Sequence, residues 1–191
     1  MNTSTIKENL EEAERILKTF MSDEEKLRKI AEAGDEMAKS LKRGNKIISC
    51  GNGGSMCDAM HFAEELSGRY REDRKALAAI SISDPSHMSC VGNDYGFRYV
   101  FSRYIEAIGN EGDVLLAIST SGNSPNILEA IDAAKKRGMY VVGLTGKSGG
   151  EMENKCDLEI RAPYSNYADR AQEIHIKIIH SLIQMIEEKV N

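Results

Sequence analysis

The sequence predicts a three-layer α/β fold in which a five-stranded parallel sheet is covered by helices on both faces. Three observations predict it. Short apolar, strand-like runs recur at 46–50, 78–83, 113–118, 139–144 and 157–161, with helical stretches between them. Such alternation implies right-handed strand–helix–strand crossovers and a sheet buried on both sides. Loops rich in glycine or hydroxyl groups also follow two of the strands, at Gly51–Ser55 and Ser119–Ser124. Finally, two amphipathic helices precede the first strand and a long helix follows the last, more helical surface than a minimal α/β unit needs.

Taken in order, Ile6, Leu10, Ala13, Ile16, Leu17 and Phe20 form a helical stripe over residues 3–20. Ser22 or Asp23 can cap a second helix, with Glu25 completing a capping box from Ser22. That helix carries Leu27, Ile30, Met37 and Leu41 and stops near Gly44. The apolar stripes of both helices must cover another helix or another subunit. Beyond the first strand, helices are expected at 55–68 with Ser55 as N-cap, at roughly 97–108, and at 125–137, where Pro125 takes the first turn. Asn93-Asp94 reads as a turn, and His87 lies in a Ser/Asp-rich loop. The final helix, 167–189, is apolar on more than one side and suits a bundle with the first two. With 191 residues and no linker or low-complexity tract, one domain is expected, with 1–44 as a helical extension and 45–191 as the α/β core and last helix.

Composition narrows the function. Thirty acidic against 25 basic residues give a formal charge of -5, which argues against a general nucleic-acid binder. Cys50, Cys57, Cys90 and Cys156 show no C-x-x-C spacing, so free thiols in a reducing compartment are expected. The N-terminal stretch is too charged for a secretory signal, and no apolar run approaches the ~20 residues of a membrane span. A cytoplasmic location follows as the expectation.

In open α/β sheets ligands bind beyond the carboxyl ends of the strands. The turn Gly51-Asn52-Gly53-Gly54-Ser55 lets backbone approach a ligand at a helix N-terminus. It lacks the Lys-Ser/Thr of a P-loop, and Met56 stands where G-x-G-x-x-G needs glycine. A tight strand–helix turn alone explains these glycines equally well. The loop Ser119-Thr120-Ser121-Gly122-Asn123-Ser124 is more telling. Capping accounts for one hydroxyl there, Ser124 before Pro125, but not for four, so a phosphate ester is the expected ligand.

His61 and Glu65, four apart on one helical face with Arg69 continuing the row, can share a divalent metal or act as an acid–base pair. An isolated pair of this kind is ordinarily a surface ion pair; its place one helix beyond the glycine turn makes it a candidate. On the last helix, Gln172, His175 and His180 interrupt the apolar pattern. His175 and His180 are about 140° apart around the helix and cannot face one site together. For either taken alone, a core histidine with a satisfied partner is the default.

With these residues assembled, CGNGGS, DAMHFAEELSGRY, VGND, GDVLLAISTSGNS, LTGKSGG and RAQEIHIKIIH resemble the sugar-isomerase (SIS) domain of the phosphoheptose isomerase family over nearly the whole chain. The resemblance implies a flavodoxin-like sheet and an aldose–ketose isomerisation, sedoheptulose 7-phosphate to D-glycero-D-manno-heptose 7-phosphate, towards the heptose of bacterial lipopolysaccharide. Carried onto this chain, it implies that Ser119, Thr120, Ser121 and Ser124 hold the phosphate, and that Asn52, Gly53, Gly54, Asn93 and Asp94 bind the sugar together with Glu65 and Gln172. Glu65 and His180 become the proton-transfer pair. His61, Glu65, Gln172 and His180 become ligands of one Zn2+ per subunit, in a homotetramer with shared active sites. A carboxylate on zinc loses basicity, so the two roles of Glu65 pull against each other. The chain departs at Met56, where some relatives carry His. Two other readings stand beside this one. The first is an isomerase of a hexose or pentose phosphate; the second is a non-catalytic SIS protein that binds a replication initiator and lacks the acid–base pair.

Overall fold

The computed structural model describes residues 3–190. Helix α1, Ser4–Met21, leads into α2, Glu24–Lys42. Asp23 caps α2, its carboxylate accepting from the backbone N–H groups of Glu25 and Lys26 at 3.1 and 3.3 Å. The Ser22–Glu25 capping box does not form, because the Ser22 hydroxyl donates back to the Thr19 carbonyl at 3.0 Å. Strand β1, Ile47–Gly51, is followed by α3, Gly54–Ser67, and the short half-buried β2, Ala79–Ser81.

Residues 85–94, expected as loop and turn, are instead helix α4, Pro85–Asp94. Pro85 occupies its first turn and the Asp84 carboxylate accepts from His87 N–H at 2.7 Å, a complete N-terminal cap. Only Val91 of this helix is buried, so no apolar stripe announces it. The helix expected over roughly 97–108 is split. A 3₁₀ turn at Phe97–Tyr99 follows Gly96, at φ 96°, and α5 runs only over Ser102–Ile108. The chain then continues through β3, Val114–Ser119, α6, Pro125–Lys136, and β4, Tyr140–Thr145. It closes with a 3₁₀ turn at Gly150–Asn154, β5, Leu158–Arg161, and α7, Ala168–Val190.

The five strands form one sheet in the order β2-β1-β3-β4-β5, every pair parallel. All six residues of β3 are buried, as a central strand covered on both faces requires. Alternate side chains feed two cores. Ile47, Leu116, Ile118, Val142 and Ile160 pack with α2, α3 and α7; Ile48, Leu115, Ala117 and Val141 pack with α4, α5 and α6. The three layers are therefore present; the stripe of α2 finds cover on α7 of the same chain, whereas α1 packs only through its last turns, at Ile16, Leu17 and Phe20, and leaves Ile6 and Leu10 exposed.

Candidate active site

Sheet order reverses between β1 and β3: β1 leads outward to β2, and β3 starts the run in the other direction. The loops leaving these two strands lie at the carboxyl edge of this switch point, the place where such sheets bind ligands. Both candidate loops open there, since Gly51 pairs with Ile118 and Ser119 with Thr145 in the register.

The glycine turn is tight for identifiable reasons. A Cβ on Gly51 would strike the Ser55 carbonyl, and Gly53 sits at φ 55°, where a side chain is strained. Gly53 is the N-cap of α3, so Ser55 is the second residue of the helix and not its cap as expected. At Gly54 an added Cβ would lie 2.6 Å from Nε2 of Gln172, which places the Gln172 amide directly over the turn. Asn52 is held by a partner the sequence did not disclose. Its side-chain amide and that of Asn126, buried in the first turn of α6, exchange two hydrogen bonds at 2.9 and 2.8 Å. Its one signal is a polar side chain directly after Pro125 in a helix first turn.

In the hydroxyl loop, Ser119 Oγ lies 2.9 Å from Ser124 Oγ and 3.4 Å from Ser121 Oγ. Ser124 occupies the N-cap position of α6 but makes no side-chain cap bond; its hydroxyl turns to Ser119 instead. Thr120 is half-buried between them in sequence. The loop after β4 braces this one from behind: Met152 N–H donates to the Gly122 carbonyl at 3.1 Å, and Glu151 N–H donates to Asn123 Oδ1 at 2.9 Å. Clustered hydroxyls at the start of α6, with the positive end of its dipole, suit a phosphate without any cation.

The third group joins α3 to α7. His61 Nε2 lies 2.9 Å from His180 Nε2, with the rings edge to face. His61 Nδ1 is 3.0 Å from Glu64 Oε1 and its Nε2 is 3.6 Å from Glu65 Oε1. Which of the two rings supplies the proton between them depends on the tautomer. Burial holds the His180 pKa below its ordinary value; the neighbouring His61 adds to this and Glu65 opposes it. Tyr70 covers His180, ring centroids 5.7 Å apart. Ligand atoms of His61, Glu64 and Glu65 all lie within 4.8 Å of one another. Glu64 was not singled out from the sequence, although it lies one turn from His61. Neither was Asp58, one turn earlier, whose carboxyl is pushed up to about 6 by burial.

Other candidates fall elsewhere. Gln172 is engaged at the glycine turn, as described. Asn93 and Asp94 end α4, exposed, with Asn93 Nδ2 donating to Asp94 Oδ1 at 2.7 Å. Arg69 does not continue the His61–Glu65 row, because α3 stops at Ser67 and Arg69 is exposed beyond it. His87 is structural: its Nε2 reaches the Val100 carbonyl at 2.8 Å and its ring packs on Tyr104. His175 is fully buried, with Nε2 2.8 Å from the Thr145 carbonyl and Nδ1 without a hydrogen-bond partner among the described residues.

Residues 8–146 match the SIS domain family. Over 190 residues the chain is 64% identical to the phosphoheptose isomerase of Cytophaga hutchinsonii, covering 100% of both chains. It is 58% identical to that of Aeromonas hydrophila, covering 100% of this chain and 99% of the other. The chain belongs to the phosphoheptose isomerase family. A solved phosphoheptose isomerase from Francisella tularensis superposes with a TM-score of 0.93 at 36% identity, covering 98% of this chain and 100% of that one. The family's extent includes α1, α2 and α7, so these helices are part of what the phosphoheptose isomerases share. The SIS fold and the flavodoxin-like strand order expected from the motifs are those observed.

Proposed function

We propose that the chain interconverts sedoheptulose 7-phosphate and D-glycero-D-manno-heptose 7-phosphate, in the supply of heptose for lipopolysaccharide. Supporting it, beside family membership, is one observation above all. The hydroxyl cluster of Ser119, Ser121 and Ser124 and the His61–Glu65–His180 group flank the glycine turn, joined to it through Asn126–Asn52 on one side and helix α3 on the other. A phosphate grip and an acid–base group on either side of one glycine turn suit a phosphorylated sugar whose carbonyl end must be worked on.

In this reading Ser119, Thr120, Ser121 and Ser124 bind the phosphate, and Asn52, Gly53, Gly54 and Gln172 bind sugar hydroxyls, with Asn93 and Asp94 as further sugar contacts. One member of the Glu65–His180 pair removes a proton from C1 of the ketose while the other protonates the carbonyl oxygen at C2. The resulting enediol collapses as the first group returns its proton to C2 and the second takes the proton of the C1 hydroxyl, which restores both groups and leaves the aldehyde at C1. The depressed pKa of His180 leaves it neutral near pH 7, able to accept or donate through its ring nitrogens.

Zinc belongs to the same reading. Two imidazoles meeting at 2.9 Å beside carboxylates form a donor set of the kind Zn2+ prefers. His61, Glu65 and His180 would hold it, and the ion would polarise substrate oxygens; Gln172, whose amide lies over Gly54 two turns of α3 before His61, would have to turn away from the glycine turn to join them as a further ligand. Glu64, beside His61, offers a second carboxylate and eases the competing demands on Glu65. Assembly as a homotetramer with shared sites is supported by the exposure of Ile6 and Leu10 on α1, at 61% and 64%, and of Tyr95 and Phe97 after α4. Among the described residues no helix is long and apolar enough to cross a membrane, and the four cysteines are unbridged, which suits a cytoplasmic location.

The test offers the purified protein sedoheptulose 7-phosphate, fructose 6-phosphate and ribulose 5-phosphate in parallel, with and without a chelator, and identifies products by NMR. Preferential conversion of the heptulose, lost on chelation and restored by Zn2+, is expected. Preference for a hexose or pentose phosphate would reassign the substrate, and turnover indifferent to chelation would remove zinc.

A further inference from the structure

The segment between α3 and β2 carries a buried arginine that the reaction scheme leaves unused. Arg74 is 2% exposed in its side chain, and its guanidinium is fully engaged. Nη2 donates to the carbonyl of Glu65 at 2.6 Å; Nη1 donates to those of Leu66 and Gly68 at 2.8 and 3.0 Å. Nε donates to Oε1 of Glu187 at 2.6 Å. Nη1 also reaches its neighbour's carbonyl, that of Lys75, at 3.2 Å. The carbonyls of Glu65 and Leu66 belong to the last turn of α3 and that of Gly68 to its C-cap, where such groups lack intrahelical partners, and a cation there also meets the negative end of the helix dipole. Glu187 is on α7, seven residues beyond His180, two turns along and on the same side of the helix. Its Oε1 also accepts from Tyr70 N–H at 3.4 Å, and the Tyr70 ring is the one lying over His180. One ion pair thus grips the backbone of Glu65, the helix of His180 and the aromatic cover of His180.

We propose that Arg74 is a positioning residue for the isomerisation: anchored on Glu187, it holds the last turn of α3, and with it Glu65, in register with His180 on α7. Arginine suits this task where lysine does not, because only the guanidinium fork can meet four carbonyls and a carboxylate at once. The hydroxyl loop and the glycine turn make no contact with Arg74 among the described residues, so substrate grip is separate from this clasp.

The inference rests on the isomerase reading, and the experiment separates the two. The full-length protein and the variants Arg74→Met, Arg74→Lys, Glu187→Gln and Lys46→Met are assayed with sedoheptulose 7-phosphate, folding being followed by circular dichroism. Lys46 pairs with buried Asp113 at the opposite edge of the sheet, 2.6 Å away, and serves as a destabilising control remote from the site. Arg74→Met should lower kcat roughly 10- to 100-fold, the scale of a misplacement near 1 Å, with KM within about threefold of wild type. Arg74→Lys should recover part of that loss, and Lys46→Met should leave kcat unchanged while lowering the melting temperature. Should Arg74→Met not fold, Glu187→Gln decides, since it keeps an oxygen for Arg74 and Tyr70 and removes only the charge; a kcat loss of about 3- to 10-fold is expected. Wild-type kcat in Glu187→Gln and in every folded Arg74 variant would overturn the inference, as would losses matched by Lys46→Met. An inactive wild-type protein would overturn the isomerase reading instead.

Discussion

The loop after β3 takes its shape from hydroxyls five positions apart or fewer, whereas the His61–His180 contact joins residues separated by 119 positions. The first wall is local. Its geometry follows from the end of a buried strand, one left-handed glycine and the start of a helix, braced by the neighbouring loop. The second wall exists only while α3 and α7 stay packed, and it is held by long-range polar ties such as Arg74–Glu187. Changes far from the substrate should therefore damage the second wall and spare the first, which is testable by asking whether KM or kcat responds.

The strongest way to break that contrast is at the acid–base group. Glu65→Gln and His180→Gln should each lower kcat by about 10²- to 10⁴-fold with the fold intact by circular dichroism, because each removes a positioned proton-transfer group. A KM-only effect in either would place them in substrate grip instead. At the local wall, Ser119→Ala and Ser124→Ala should act mainly on KM. Loss of one hydrogen bond to a charged phosphate is worth about 1.5–3 kcal/mol, roughly 10- to 150-fold, and inhibition by inorganic phosphate should weaken in step.

A pH measurement sharpens the role of α7. Burial lowers the His175 pKa to about 4 in the folded protein, below the ordinary value of 6.5. Between these values the unfolded chain binds the extra proton and the folded one does not, so stability falls as pH drops from about 6.5 towards 4. At pH 5 the loss is about 2 kcal/mol relative to pH 7. Urea midpoints at the two pH values should therefore differ in wild type by more than in His175→Gln; equal differences would remove His175 as the source. The smallest effect belongs to the cap of α2, where Asp23→Ala should cost about 1 kcal/mol and leave both kinetic constants alone.

What could be read from the chain alone divides along the same line. The five strands and the long helices were legible because alternation and apolar stripes are local signals. So was the hydroxyl loop, since four hydroxyls within six positions exceed what capping requires. Helix α4 escaped notice because it buries only Val91 and opens with Asp84-Pro85-Ser86, which reads as a turn. Ser55 was a natural cap by composition, but Gly53 at φ 55° takes that place, so the cap falls two residues sooner. The reciprocal pairing of Asn52 with Asn126, the contact of Gln172 with Gly54 and the meeting of His61 with His180 are tertiary facts. No periodicity connects residues so distant, and only the packing of α3, α6 and α7 about the sheet brings them together.

The central claim, that a proton-transfer group built between α3 and α7 isomerises a sugar phosphate, is tested most directly by following sedoheptulose 7-phosphate by proton NMR with wild-type protein and with Glu65→Gln. The wild type should produce the aldose heptose 7-phosphate, and the folded Glu65→Gln protein should leave the ketose unchanged on the same timescale. Equal rates of aldose formation by the two proteins would contradict the account.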